Sequence, residues 1–473
     1  MKYISLGLVI FLLACNNQAP EEKLPEPFGP TPNEQQLAWH DLEFYWFIHF
    51  GPNTFTDKEW GHGDEPADAF APTALDCNQW ARIAKQSGAK GIILTAKHND
   101  GFCLWPSAFS THTVRESKWK DGKGDVVKEL ADACKANGLL FGIYLSPWDR
   151  NHPEYGTPAY NDVYVNTMKE VVGNYGPLFE FWWDGANGEG PNGKKQQYDF
   201  KRFEETMRQI APKTVVFSDI GPDIRWVGNE KGIAGTTNWN LLDTAGFTRG
   251  HGAPSSDTLN RGNVNGRNWI PSECDVSIRP GWFYHTEEDD KVKSGEALFD
   301  LYLKSVGRGS AFLLNVPPDR RGLIHEKDSA ALIAFKQYRD ESFSKDLLSG
   351  AKVKYTHEGK TIEKLLKADG LHLLPDVAGL LEATLSTQSI NAIILKEDIA
   401  LGQRVARFTI HLKNGDNTVV RTIEGTTIGR KRILTFPATE VTGIELVIDE
   451  AKAPPVLSGL EAYHIAEALV EKE

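Results

Sequence analysis

From Glu34 to about Phe335 short apolar runs alternate with segments of helical period, as βα units feeding a parallel sheet do. Phe44 to Phe50, Gly91 to Thr95, Leu139 to Leu145, Leu178 to Trp183, Thr214 to Phe217 and Ser310 to Leu314 are nearly all apolar, as strands covered on both faces must be. Ile233 to Asn238 and Trp269 to Cys274 are read as the two remaining strands. The helices between them carry end signals. Asp76 is an N-cap with Gln79 three residues on, and Trp80, Ile83 and Ala84 share one face before Gly88. Asp125 opens a second helix, striped by Val127, Leu130 and Cys134 and stopped by Gly138. Phe203, Met207 and Ile210 stripe a third, and Leu298, Leu301 and Tyr302 a fourth. The expectation is a (β/α)8-like barrel of the TIM type over residues 34–343. A doubly wound sheet is disfavoured, because no Gly-rich phosphate loop follows the first strand.

After Phe343 the period shortens to two. Val405 to Leu412, Thr418 to Thr422, Lys431 to Phe436 and Gly443 to Ile448 read as strands, with reversals at Asn414-Gly415, Glu424-Gly425 and Thr442-Gly443. A β-sandwich over 344–473 is expected, either bracing the barrel or binding carbohydrate. At the other end Lys2 precedes an apolar run from Ile4 to Ala14, too short for the roughly 20 residues of a membrane span. Leu12-Leu13-Ala14-Cys15 resembles a bacterial lipobox. Residues 1–14 are therefore expected to be a lipoprotein signal peptide, with Cys15 as the lipidation site and membrane anchor. Residues 15–33, rich in Pro, Asn and Glu, read as a flexible tether. Together these imply an exported bacterial lipoprotein, periplasmic or on the outer surface.

Composition narrows the partners. A net charge of −12, with no basic stripe interleaved with aromatics, argues against nucleic acid. Cys77, Cys103, Cys134 and Cys274 show no metal-binding spacing and read as buried packing residues. The chain has 13 Trp, several beside Gly, Asp or His, which favours a carbohydrate site where indoles stack on sugar rings.

In a parallel barrel the residues just past each strand's C-terminal end face one mouth. Here they are His49; Lys97, His98, Asn99 and Asp100; Ser146, Trp148 and Asp149; and Asp184. Asp184 follows Phe179-Glu180-Phe181-Trp182-Trp183 and precedes Gly185, which suits a nucleophile and equally suits an Asp-Gly turn. Glu273 lies in Trp269-Ile270-Pro271-Ser272-Glu273-Cys274, where apolar surroundings would raise a carboxyl as a general acid requires; a Glu paired to Arg279 would look the same. Two carboxylates from different strands are what glycoside cleavage needs.

Several ordered motifs resemble the α-L-fucosidases of glycoside hydrolase family 29. They are Trp46-Phe47-Ile48-His49-Phe50-Gly51, Glu59-Trp60, Thr95-Ala96-Lys97-His98-Asn99-Asp100-Gly101-Phe102, Trp105, Trp182-Trp183-Asp184-Gly185 and Leu314-Asn315-Val316-Pro317-Pro318. The resemblance spans about Pro32 to Pro318. It implies a retaining exo-α-L-fucosidase with Asp184 as nucleophile and Glu273 as acid/base, and a substrate pocket of His49, Glu59, Trp60, His98, Asn99, Tyr144 and Trp282. Asn99 stands where many members carry a second His. With Ser146-Pro147-Trp148-Asp149-Arg150-Asn151 and Arg279-Pro280-Gly281-Trp282-Phe283-Tyr284-His285 it resembles the subgroup acting on α-1,3- and α-1,4-linked fucose of Lewis-type glycans. Glu189, Glu287 and Glu288 are the alternatives to Glu273. Fucosylated oligosaccharides or glycoproteins are the implied partners. No cofactor or catalytic metal is called for, and a structural cation in the C-terminal domain is compatible with the resemblance.

Overall fold

The computed structural model describes residues 23–366, 370–466 and 470. The expected signal peptide and Cys15 lie outside them.

Eight parallel strands close into a barrel: β1 (Phe44–Ile48), β2 (Gly91–Lys97), β3 (Leu140–Leu145), β4 (Glu180–Trp182), β5 (Val215–Ser218), β6 (Ile224–Trp226), β7 (Ser272–Ser277) and β8 (Ala311–Asn315). Each pairs with its neighbours in sequence, and β1 closes on β8. Alternation places one residue in two inside. Tyr45, Phe47, Ile93, Tyr144, Trp182, Val215, Phe217, Ile224 and Leu313 form the interior cluster, and the other faces pack against the helices. The predicted caps form: Asp76 accepts from the backbone N–H of Asn78 and Gln79, Asp125 accepts from that of Lys128, and Gly138 ends its helix at φ +65°. Gln79 does not complete a capping box; its amide spans to the backbone of Ile324.

The sixth strand departs from the sequence reading. Ile233 to Asn238 is not a strand; β6 is the three-residue Ile224–Trp226, and a long excursion follows it before β7. A charged residue at the centre of so short a run hides the strand. Arg225 is tolerated there, 0% exposed, because its guanidinium donates to the carbonyls of Leu259, Ile270 and Trp239 and to Asn238 Oδ1.

The C-terminal region is one antiparallel sheet of β9 (Lys352–His357), β10 (Lys360–Leu365), β11 (Leu380–Glu397), β12 (Val405–Lys413), β13 (Val419–Gly425), β14 (Arg432–Ala451) and β15 (Leu457–Tyr463). Its order is β10-β9-β11-β14-β12-β13, with β15 also on β11. Register shifts break the long β11–β14 pair at Thr384/Gln388 and Ile390/Ala392, and the sheet encloses one apolar cluster. Thr442-Gly443 is not a reversal: Gly443 pairs with Thr384 and Lys413 inside β14.

Among the described residues this sheet exposes no large aromatic; Tyr355, Phe408, Phe436 and Tyr463 are all buried. Its polar loops grip the barrel instead. Gln403 Oε1 accepts from Asn240 N–H at 2.7 Å and its Nε2 donates to Asn238 O at 3.0 Å, while Thr427 Oγ1 accepts from Asn238 N–H at 2.9 Å. Part of the expected tether is also docked here. Phe28 N–H donates to Leu401 O at 3.0 Å, Arg404 donates to Glu26 O at 2.7 Å, and Asn33 caps the helix Glu34–His40.

Candidate active site

The C-terminal ends of the barrel strands surround a cavity of about 360 Å³. Its walls include His49, Glu59, Trp60, His98, Tyr144, Trp182, Asp184 and Trp282, so six of the seven expected pocket residues and the expected nucleophile meet in one place. Asn99 does not line it; the residue is buried, at 4% exposure.

Asp184 lies two residues past Trp182 at the end of β4. Tyr144 OH donates to its Oδ2 at 2.8 Å and Ala186 N–H to its Oδ1 at 2.8 Å. Burial raises its carboxyl above the usual range, while those two hydrogen bonds act the other way by favouring the anion. The orientation of the group is thus fixed by two donors from two elements.

His49 Nδ1 lies 2.9 Å from Asn315 Oδ1. The Asn315 amide nitrogen is committed to Trp282 O and Ser277 Oγ, so its oxygen faces the ring and Nδ1 carries the proton. Nε2 is left as an acceptor. Burial drops the His49 imidazole to about 4, and burial together with the nearby His49 and Lys97 charges holds His98 well below the usual histidine range. Both shifts favour the neutral imidazole.

Glu59 has a different part from the others. Its Oε2 accepts from Trp282 N–H at 2.8 Å and its Oε1 from Phe283 N–H at 3.1 Å, and His285 Nε2 is 2.7 Å from Oε1. The carboxylate pins the strap that carries Trp282. Trp60 is 59% exposed at the rim and meets Trp148 edge-on at 5.9 Å.

Glu273 does not reach the cavity. It opens the inward-facing series of β7, opposite Ala311 at the start of β8, and is fully buried. Its Oε1 accepts from Trp182 Nε1 at 2.9 Å and its Oε2 from the Tyr45 hydroxyl, so the cavity-lining Trp182 lies between the carboxyl and any bound sugar. Glu189, Glu287 and Glu288 are not in the lining either. The carboxyls that do line it, besides Asp184 and Glu59, are Asp219, Glu230 and Asp275, none of which the sequence reading singled out. Glu230 is exposed, in the loop after β6, and Trp282 Nε1 donates to its Oε2 at 3.3 Å. Asp275 receives Trp226 Nε1 at 2.9 Å, and burial, then the charges of Glu230 and Glu273, push it well above the carboxylate range. Glu230 sits in Val227-Gly228-Asn229-Glu230-Lys231-Gly232, which reads as an ordinary polar loop. Locating β6 correctly was the one signal able to place it at the mouth.

A closed parallel barrel whose strand ends bring carboxyls, neutral histidines and indoles to one cavity is the construction of a barrel glycoside hydrolase. An α-L-fucosidase family model matches residues 28–340. An α-L-fucosidase of Arabidopsis thaliana is 42% identical over 454 residues, covering 93% of this chain and 88% of its own. A glycoside hydrolase 29 member from a rumen bacterium superposes with a TM-score of 0.83 at 40% identity, over 93% of this chain and 78% of that one. A Ruminococcus gnavus GH29 fucosidase solved in complex with fucose gives 0.86 at 28% identity, over 96% and 99%. The chain belongs to the glycoside hydrolase family 29 α-L-fucosidases. The expected localisation is corrected by the same comparisons: the curated relatives in Arabidopsis, rice and rat are plant and animal fucosidases, not bacterial lipoproteins.

Proposed function

We propose that the protein is a retaining exo-α-L-fucosidase working by double displacement, with Asp184 as nucleophile and Glu230, in place of Glu273, as general acid/base. The observation that carries this reading is that both carboxyls line one cavity from different strand ends, Asp184 oriented by two donors and Glu230 met by the Trp282 indole. Asp184 attacks the anomeric carbon while Glu230 protonates the departing glycosidic oxygen. Water, deprotonated by Glu230, then displaces Asp184 from the fucosyl-enzyme and restores both groups. Two inversions leave the configuration unchanged. The scheme uses two carboxyls and water, and no cofactor takes part in it.

The neutral histidines suit this chemistry. They can exchange hydrogen bonds with sugar hydroxyls without setting a positive charge beside an oxocarbenium-like transition state. The substrates in this reading are α-1,3- or α-1,4-fucosylated branched oligosaccharides or glycoproteins of Lewis type. Support comes from the resemblance of the 146–151 and 279–285 segments to that subgroup, and from Trp226 and Asp219, which add aromatic and polar wall to the cavity beyond the expected fucose pocket.

The test is fucose release from a Lewis-type trisaccharide and from an α-1,2-fucosylated disaccharide by wild type, Asp184→Ala and Glu230→Ala. The expected result is release from the trisaccharide alone, lost in Asp184→Ala and reduced about 10²–10⁴-fold in Glu230→Ala. On a nitrophenyl fucoside, whose leaving group departs without protonation, azide should rescue Glu230→Ala to a fucosyl azide of retained configuration and Asp184→Ala to one of inverted configuration. Unimpaired hydrolysis by Glu230→Ala would overturn its assignment, and release from the disaccharide alone would overturn the linkage.

A further inference from the structure

Below the cavity, the barrel interior holds two carboxyls that this scheme leaves unused. Glu180 on β4 and Glu273 on β7 are both 0% exposed. The donors that reach them are aromatic: Trp182 Nε1 and the Tyr45 hydroxyl on Glu273, and Trp39 Nε1 on Glu180 Oε2 at 3.1 Å. Trp39 Nε1 also lies 2.8 Å from Tyr45 OH, so Trp39, Tyr45 and Trp182 join the two carboxyls in one buried network. Apolar residues fill most of the same interior, among them Ile93, Val215, Ile224 and Leu313. A carboxyl pair in such a place costs several kcal/mol that an all-apolar layer would not.

We propose that Glu273, backed by Glu180, is a positioning residue for the fucoside site, fixing the Trp182 indole as a wall of the cavity. Trp182 stacks on Phe217 at 4.0 Å and 11°, and on Tyr144 at 5.3 Å and 30°. Stacking restrains the tilt of an indole but leaves it free to slide and turn in its own plane. The hydrogen bond from Nε1 to Glu273 removes that freedom. The effect extends one residue further, because Tyr144, packed on Trp182, is the donor to Asp184.

Protonation fits the geometry. Burial, then the Glu273 charge, push Glu180 well above the carboxylate range. Burial raises Glu273 too, while its hydrogen bonds with Tyr45, Glu180 and Trp182 act the other way.

The inference rests on the cavity being the fucoside site, and the test separates the two. Fucose affinity by calorimetry and KM and kcat on a nitrophenyl fucoside are measured for the full chain, in wild type, Glu273→Leu, Glu273→Gln, Trp182→Phe and the Glu273→Leu/Trp182→Phe double variant. Glu273→Leu should weaken fucose binding and raise KM about tenfold, as a displaced binding wall does. In the Trp182→Phe background, where no indole N–H remains, the same change should have little further effect. Glu273→Gln, which keeps an acceptor for Trp182, should stay within about threefold of wild type, and serves as the folded comparison should Glu273→Leu not fold. Unchanged affinity in Glu273→Leu, an equal loss in both backgrounds, or a Glu273→Gln variant that folds yet binds as poorly as an indole-less site would overturn the proposal. Absence of turnover in wild type with fucose still bound would instead overturn the fucosidase scheme and leave the affinity comparison standing.

Discussion

Replacing Tyr144 with Phe removes one hydrogen bond from the nucleophile and almost nothing else. Tyr144 is 1% exposed, and its ring keeps its contacts with Trp182 and His98 in the variant. What is lost is the 2.8 Å bond from its hydroxyl to Asp184 Oδ2. A hydrogen bond to a charged group contributes about 1.5–3 kcal/mol. Because it favours the carboxylate over the acid, its removal should raise the Asp184 carboxyl further above the range to which burial already lifts it. At 1.36 kcal/mol per unit that is an upward move of about 1–2 units. The nucleophile must be ionised, so activity falls as pH drops through that value, and the acidic limb of kcat/KM should move to higher pH by the same amount. One pH unit above the wild-type limb, the variant should already have lost up to about tenfold. The assay is kcat/KM against pH on a nitrophenyl fucoside, with thermal unfolding as a folding control. A limb that stays in place in a folded variant, or moves to lower pH, would refute the reasoning.

Other perturbations read other parts of the molecule. Lys97 Nζ and Asp149 Oδ2 are 3.0 Å apart, with both side chains 4% exposed; Asp149→Ala strands the lysine and should cost about 3–5 kcal/mol at neutral pH by denaturant titration. Burial works against the Asp149 carboxylate, but Lys97 and two backbone N–H groups hold it below the usual range, so its stabilisation is present above about pH 4 and is lost as pH falls further, where variant and wild type should converge. Gln403→Ala leaves Asn240 N–H and Asn238 O unpaired at the domain contact and should destabilise by about 2–4 kcal/mol, read as a lower thermal midpoint. A Cβ at Gly188 would lie 2.0 Å from the Trp148 ring, so Gly188→Ala should displace the partner of Trp60 and raise KM several-fold with a smaller change in kcat.

The two ends of the alternating pattern, buried strands first and half-buried strands after, carried the architecture from residue order alone. Strands covered on both faces are largely apolar, so β1 to β5 and β8 were legible. The expected Trp269–Cys274 catches only the first half of β7, whose Ser-Glu-Cys-Asp-Val-Ser run is polar, and β6 was missed because its central arginine is solvated by carbonyls from loops distant in sequence. Strand ends alone pointed His49, His98 and Asp184 to the mouth, while Tyr144 and Trp282 were implied only by the family resemblance; all five line the cavity.

Depth along a strand was another matter. Glu273 and Asp275 alternate identically with their neighbours and both face inward, but register sets Glu273 opposite Ala311 at the barrel's start and Asp275 opposite Leu313, one layer nearer the mouth. Sequence determined the fold class and the place of most strands, because these depend on local period and caps. Only the tertiary structure decided that Glu273 lies beneath Trp182 while Glu230 reaches the cavity, because register and the course of a long loop are set by pairing between segments far apart in the chain.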